Sequence, residues 1–498
     1  MKIFILLSLI CLLTVCLSSC TIKQKSDNEQ VKQYEKFVSE MKSRGFNTGN
    51  ILVYENGEII FQSSNGLRSI DPLNSLNLNS QFRLASVSKQ FTGVSIMKLK
   101  QAGKLDYDQK VNTILRDFPY DNITIRHLLR HTSGLADYEE IIEENFIPKD
   151  STKHYILGND EILKIFFDAN PDLNFQPSED WEYCNTGYMM LASIVEKVSG
   201  QHFRDFLKEN IFEPIGMSNT TLYDYQEEDD PNMPNRVFGY RKALNQKDYI
   251  INDYDIVNDV RGDGGIYSTL NDLYQWNMAL INYEVLPKEY MDEAWSWGTL
   301  NNGKKTRYGF GWKFPRDKTA PKAVFHNGSW VGFGTSLYNE IETKSGYIVL
   351  TNNDNWESFL LITDAIDSIR VGARYVLQKR SMGRDMLERF FSEDLDAAIR
   401  FYRQNKSDSS LYKTDVLEIQ NLGYDLLNNN YLDDALQVFK LNIEEYPSIA
   451  GTYAGYGDAL SVKSDTSKAL QNFNIALKID STFNYAKKRI LALETELK

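Results

Sequence analysis

Cysteine is scarce in this chain, and most of the 4 it has fall within the first 20 residues. Cys11 and Cys16 lie in an N-terminal apolar run, Cys20 closes it, and only Cys184 stands in the body of the sequence. A chain that has lost its N-terminus therefore has no intrachain disulfide, even in an oxidising compartment. Histidine is scarce too: there are 5, and none falls beside cysteine at zinc-ligand spacing. The sequence thus implies no metal and no other cofactor. Basic charge is in deficit, with 55 Lys and Arg against 68 Asp and Glu, a net −13. That balance argues against nucleic acid as the main partner. The acidic run Glu227-Glu228-Asp229-Asp230 reads as a solvated loop. The apolar run at residues 3–17 is too short to span a bilayer comfortably.

What is present points to a folded, exported protein. The 498 residues allow two or three domains, and 42% hydrophobic with 12% aromatic residues supply a large core. Lys2 followed by the apolar run Ile3 to Leu17 reads as a signal segment. Leu17-Ser18-Ser19-Cys20 resembles a bacterial lipobox, which implies cleavage before Cys20 and lipid on that residue. The competing reading is an ordinary secretory signal with a coincidental cysteine. Loss of residues 1–19 removes only Lys2, so the mature charge is −13 − 1 = −14 before lipidation. Residues 1–19 are thus expected to be a signal peptide and 20–35 a tether. The protein is expected to be a lipoprotein on a bacterial envelope membrane, facing periplasm or exterior.

Three short motifs carry chemistry. Ser86-Val87-Ser88-Lys89 opens a long apolar segment, and a spacing of three on a helix places Ser86 and Lys89 on one face. A serine hydroxyl needs a base to become a nucleophile, and a desolvated lysine can be that base or help one. The first turn of a helix also favours an oxyanion. Tyr183-Cys184-Asn185 reads Y-x-N before a helical segment. Its phenol can act as a base, and its amide offers both a donor and an acceptor. His326-Asn327-Gly328 reads H-x-G at the end of a strand-like run. Cys184 reads as a small buried filler between two candidate site residues.

The order S-x-x-K, Y-x-N, H-x-G resembles the penicillin-recognising serine hydrolases. The match is to the class C β-lactamase-like branch, with its D-alanyl-D-alanine carboxypeptidases, D-aminopeptidases and esterases. Further segments carry the resemblance over residues 49–375. Thr124 to Leu135 is similar to the family's "LLxHTSGL" segment, and Phe212 to Met217 to "FxPLGM". Gly264 to Thr269 with Asp272-Leu273 is similar to "GGLxSTxxDL", and Tyr308 to Trp312 to "YGxGW". The resemblance implies an α+β domain over 36–378, an antiparallel sheet flanked by helices with a helical subdomain inserted. Strand-like runs agree: Asn50 to Gln62 around the turn Glu55-Asn56-Gly57, then 323–326, 333–339 and 347–351. A helix from about 357 to 378 is expected to end this domain. Thr124 is placed to cap the helix before His131, and Gly103 and Gly200 to end two buried helices.

The resemblance also assigns roles. Ser86 is the nucleophile, and Lys89 and Tyr183 share its proton, with either as the base. Asn185 orients Lys89 and a substrate amide, and the backbone amides of Ser86 and Ser329 form the oxyanion hole. His326, Gly328 and Ser329 line the substrate side. A histidine in place of the K-T-G lysine titrates near neutrality and makes charge recognition weaker or pH-dependent. That favours a peptide or ester over a β-lactam. His131, Thr132 and Ser133 read as loop-fixing, His127, His154 and His202 as surface or packing residues, and Asp263 as a shaper of the site floor.

From about Leu387 strand signals stop and a 34-residue self-similarity begins. Gly423 and Gly457, Ala435 and Ala469, and Phe439 and Phe473 recur in register, while Pro447 meets Ser481. The segment 387–498 resembles tetratricopeptide repeats, with Leu395 to Tyr402 as a degenerate earlier unit and Asn484 to Leu497 as a capping helix. Such helices either recruit a protein partner or pack on the first domain. The expected function is a serine hydrolase acting on an amide or ester, a D-amino-acid peptide or small ester in the envelope. The alternatives are a non-catalytic peptidoglycan-peptide binder or adaptor, and a true β-lactamase.

Overall fold

The computed structural model describes residues 29–496 except 149, 151–152, 154, 225–232, 317–321 and 354. The signal peptide 1–19, Cys20, His154 and the acidic run at 227–230 lie outside the described residues. The chain forms two compact units. One runs up to Arg241 and resumes over Ile251–Leu377; the other joins Lys242–Ile250 to the chain from Gln378 onward.

The first unit is α+β. Helix α1 covers 29–43. Strands β1 (Gly49–Glu55) and β2 (Glu58–Asn65) follow it, joined by Asn56-Gly57. Both turn residues have positive φ, 52° and 77°, the geometry that a two-residue hairpin of matching twist requires. Strands β3 (Ala323–Trp330), β4 (Phe333–Glu340) and β5 (Ser345–Thr351) complete an antiparallel sheet in the order β3-β4-β5-β1-β2. The first strands therefore pair with the last, with Val53 opposite Tyr347.

Alternation along the strands builds two cores. Ile51, Val53, Phe61, Tyr347 and Val349 face one side, packed with Tyr34, Phe37 and Met41 of α1 and with Phe359, Ile362 and Ile366. Leu52, Tyr54, Leu337, Ile348 and Leu350 face the helical subdomain between the strand groups. Two expectations are corrected here. Residues 29–35, read as the end of a tether, belong to a helix that buries Tyr34. The closing helix, α7 (Trp356–Arg370), ends eight residues earlier than expected, and Gly372 follows at φ 69°.

Within the subdomain, α2 (Lys89–Gln101) is buried over nearly its whole length. Helix α3 (Ile125–Arg130) starts at Thr124, whose side chain accepts the His127 N–H. Helix α4 (Tyr138–Asn145) follows, then α5 (Asn185–Ser199), which ends on left-handed Gly200. Helix α6 (Leu270–Ile281) starts at Thr269, whose hydroxyl accepts the Asp272 N–H.

The second unit is helical. Met382–Ser392 and Leu395–Asn405 precede Val416–Asn428, Leu432–Glu445, Ala450–Val462, Thr466–Ile479 and Asn484–Glu496. The equivalent positions 34 residues apart make the same contact. A Cβ on Gly423 would lie 2.6 Å from the Phe439 ring, and one on Gly457 would lie 3.0 Å from the Phe473 ring. Ala435, Phe439, Ala469 and Phe473 are all buried in one core. Leu244, from the segment 242–250, packs on that core.

Candidate active site

Ser86 sits in a 3-10 turn, Ala85–Ser88, that runs into α2 at Lys89. The sequence placed Ser86 in the first turn of the α-helix itself; the turn before it holds the serine instead. In a 3-10 turn, side chains three apart eclipse one another, which stacks Ser86 over Lys89. Ala85 is left-handed, at φ 48°. An alanine there costs on the order of 1 kcal/mol and persists because its surroundings fix it. Those surroundings are visible: Leu84 N–H donates to the Ile266 carbonyl at 2.8 Å, and Thr335 Oγ1 donates to the Leu84 carbonyl at 2.7 Å.

Lys89 is fully buried. Its Nζ donates to Ser86 Oγ at 3.2 Å, Asn185 Oδ1 at 2.8 Å and the Asp263 carbonyl at 2.9 Å. Three acceptors match the three protons of an ammonium. Asn185 opens α5, so one amide ties α5 to the nucleophile turn. Asp263, read as a shaper of the floor, holds Lys89 through its backbone and accepts the Tyr138 hydroxyl at 2.9 Å.

The Tyr183 ring lies 5.0 Å from Lys89 Nζ. Its hydroxyl is buried and has no hydrogen-bond partner among the described residues. Cys184 is buried, and burial, ahead of the nearby Asp137, pushes its thiol up to about 12. That fits the filler expected of it.

The H-x-G segment departs from expectation. It lies inside β3, which continues to Trp330, rather than at the strand's end. His326 is fully buried, with Nε2 3.0 Å from the Tyr308 hydroxyl and Nδ1 2.7 Å from the Asn327 carbonyl. A carbonyl only accepts, so Nδ1 carries the proton and Nε2 accepts from Tyr308. Burial, then Lys313 and Lys89, hold the ring neutral, well below the usual histidine range. The expectation that His326 titrates near neutrality and reads substrate charge is therefore corrected: it anchors Tyr308. Gly328 has a different necessity. A Cβ there would lie 2.3 Å from the Leu84 carbonyl, 2.4 Å from Thr335 Oγ1 and 3.0 Å from Ser86 N. Only glycine lets β3 approach the serine turn this closely.

A cleft of about 930 Å³ joins these residues. Ser86, Tyr183, Asn185, Asn327 and Ser329 line it, with an apolar wall that includes Ile142, Phe146 and Trp330. Two further lining residues escaped the motif reading. Lys313 follows the YGxGW segment, and its Nζ lies 4.8 Å from the Tyr183 ring. Burial, then Lys89, lowers its pKa, and it forms no ion pair with a carboxylate among the described residues. Nothing in its local sequence marks it; the bridge between Lys313 and Phe325 sets it next to the H-x-G strand. Glu139, in the first turn of α4, stands at the cleft rim. Partial burial, then Asp137, Asp263 and Asp255, push it up to about 7, against Lys89.

Two of the other histidines serve structure. His127 Nδ1 accepts the Thr124 N–H at 3.1 Å, and His202 starts a short helix. Thr132 N–H donates to the His127 carbonyl at 2.9 Å, and Ser133 Oγ accepts Leu135 N–H, so these residues fix their loop. No group of acidic, histidine or cysteine side chains among the described residues could hold a metal ion.

A serine hydrogen-bonded to a buried lysine, beside a phenol and an amide in an α+β fold, defines the class of β-lactamase and transpeptidase-like serine hydrolases. The chain belongs to the Beta-lactamase family, whose model matches residues 35–370. It is 35% identical to Penicillin-binding protein 4* of Bacillus subtilis over 340 residues, 67% of this chain and 74% of that protein. In fold it is similar to a penicillin-binding protein from Bacillus halodurans, with a TM-score of 0.58 at 24% identity, covering 67% and 98% of the two chains. It is also similar in fold to D-amino acid amidase from Ochrobactrum anthropi SV3, with a TM-score of 0.55 at 20% identity, covering 69% and 98%.

Proposed function

We propose that this protein hydrolyses an amide or ester through an acyl-enzyme on Ser86. The contact of Lys89 Nζ with Ser86 Oγ, Asn185 Oδ1 and the Asp263 carbonyl carries the reading. An ammonium that already donates three times has no lone pair to receive a proton. Tyr183 is then the base, as the phenolate: its oxygen makes no hydrogen bond to the described residues, and two ammonium groups flank the ring that carries the charge. Ser86 gives its proton to Tyr183 as Oγ attacks the carbonyl carbon. The backbone amides of Ser86 and Ser329 receive the oxyanion. Tyr183 returns the proton to the leaving group, and water releases the acyl chain by the same path.

The substrate we propose is a D-amino-acid peptide or a small ester of the cell envelope. Its carboxylate pairs with Lys313, which supplies the fixed charge that the H-x-G motif lacks. A cation half-buried without an anion is costly unless a ligand completes it. Lys313 also gives a β-lactam carboxylate a partner, so nitrocefin belongs in the substrate panel.

Labelling with a fluorophosphonate and with a fluorescent penicillin tests the assignment. Ser86→Ala is expected to abolish both labels in a protein that keeps its melting temperature. Undiminished acylation of that variant would sink the nucleophile assignment.

We propose further that the protein is lipid-anchored through Cys20 and that its helical unit is a tetratricopeptide-like array serving a task other than catalysis. No helix among the described residues is long and apolar enough to cross a membrane. Cys20→Ser is expected to move the protein from the membrane fraction to the soluble one. Retention through a high-salt wash would exclude the anchor.

A further inference from the structure

Tyr183 has a buried hydroxyl that makes no hydrogen bond to the described residues, so its ring is placed by its backbone and its ring neighbours. The two peptide N–H groups nearest its own both land on one residue. Glu182 N–H donates to the His131 carbonyl at 3.1 Å. Cys184 N–H donates to His131 Nδ1 at 3.2 Å. The imidazole lies 4.5 Å from the Tyr183 ring, with Tyr308 at 4.3 Å, edge to face, and Tyr188 at 5.1 Å. His131 is thus bonded on each side of Tyr183 in sequence and packed against its ring.

The bond to Cys184 fixes the state of the imidazole. A peptide N–H only donates, so Nδ1 holds a lone pair and the proton sits on Nε2. A charged ring would lose that acceptor and release the segment. The surroundings oppose the charge: the ring is fully buried, with the ammonium groups of Lys89 and Lys313 nearby. The backbone narrows the choice of residue as well. His131 ends α3 in the left-handed region, at φ 57° and ψ 43°. Asparagine, aspartate and histidine adopt that region more readily than other side chains.

We propose that His131 is a positioning residue for Tyr183, a neutral clamp that sets the place of the phenol beside Lys89 in the cleft that Ser86 lines. It touches no reacting atom. The proposal rests on the reading of Ser86, Lys89 and Tyr183 as the catalytic set.

The test is a double-mutant cycle on the full chain, read by hydrolysis of a reactive ester and by the rate of fluorophosphonate labelling. His131→Leu is expected to lower kcat and labelling by about 100-fold, the cost of misplacing a catalytic group by about 1 Å. KM should stay within about twofold. His131→Asn keeps an acceptor and tolerates the left-handed backbone, and should recover about tenfold of that loss. In a Tyr183→Phe background, His131→Leu should cost nothing more, because the group it positions is gone. An equal loss in that background, or no recovery in His131→Asn, would overturn the proposal and leave His131 a packing residue. Tyr183→Phe at wild-type rates would instead overturn the assignment of Tyr183, and the clamp with it. If His131→Leu fails to fold, His131→Ser takes its place in the cycle, with the same outcomes decisive.

Discussion

Around the cleft the first unit buries Lys89, Arg83, Arg130, His131 and His326, while the described part of the helical unit buries one charged side chain, Asp458. That carboxylate is fully matched, by Tyr424, Tyr485 and Arg489 at 2.7 to 2.9 Å. The cleft is different. Among the described residues Lys313 has no anion and Tyr183 no hydrogen-bond partner, and two histidines are held neutral. Buried polar groups that are satisfied by their own chain serve specificity of fold. Buried groups left short of a partner cost stability and are kept where a ligand completes them. The contrast separates a unit whose buried polar groups gather at a cleft from one whose buried charge is matched by its own chain.

The sharpest way to break the contrast is to press on one close glycine contact in each unit, beginning with Gly328. Gly328→Ala places a methyl inside contact distance of the Leu84 carbonyl and Thr335 Oγ1. Either β3 moves away or the serine turn does. Stability should fall by about 1–3 kcal/mol. Hydrolysis should fall by about 100-fold or more, since Ser86 leaves its register with Lys89. Chemical denaturation and ester hydrolysis measure both. An active Gly328→Ala would mean that the close approach of β3 plays no part in catalysis.

Phe473→Ala probes the other unit. It removes the ring that Gly457 admits, at a cost of about 3–5 kcal/mol to the helical core. Ester hydrolysis should change by less than about twofold, because the ring belongs to a core separate from the one that carries the site. Calorimetry should show one transition moving to lower temperature and one staying. Loss of hydrolysis in step with that transition would show that the helices complete the site.

The sequence made the two units legible to different depths. Ser86, Lys89, Tyr183 and Asn185 were readable because the chemistry requires those residue types, and the structure gathers them at one cleft. The 34-residue period was readable because the small and large positions recur in register. Lys313 and Glu139 were not, because nothing in their local sequence says that they face a cleft; only the pairing of Lys313 with Phe325 and the placement of α4 do so. His326 was misread for a physical reason. A histidine has an ordinary pKa near neutrality, but burial and two nearby cations remove that behaviour, and no motif records burial. The end of α7 was overestimated because apolar residues continue after Arg370, while the left-handed Gly372 stops the helix.

The smallest effect separates the two kinds of titrating group at the cleft. Glu139 in the folded protein is raised from 4.5 to about 7, chiefly by partial burial and by Asp137, Asp263 and Asp255, with Lys89 opposing. A raised acid contributes stability that is fully present below its unfolded value and is lost as the pH climbs through its folded value. Glu139→Gln should therefore melt with the parent at pH 4.5 and above it by pH 8. The gain should be only about 1–2 °C, because solvent at the cleft rim screens much of the repulsion. His131 and His326 act in the opposite sense. Their pKa values are depressed, so the stability they hold is present above 6.5 and is lost as the pH falls. The parent should lose melting temperature on the acid side of neutrality, and Glu139→Gln should share that loss in full. Melting curves from pH 4.5 to 8 for both proteins decide it. A difference that is flat across this range would place the Glu139 carboxyl in ordinary surroundings, outside the field of the three aspartates. A parent that melts above Glu139→Gln, by a margin that shrinks toward acid pH, would mean that Glu139 is held as a carboxylate by the nearby cations, and that the negative rim of the cleft is matched from within the chain.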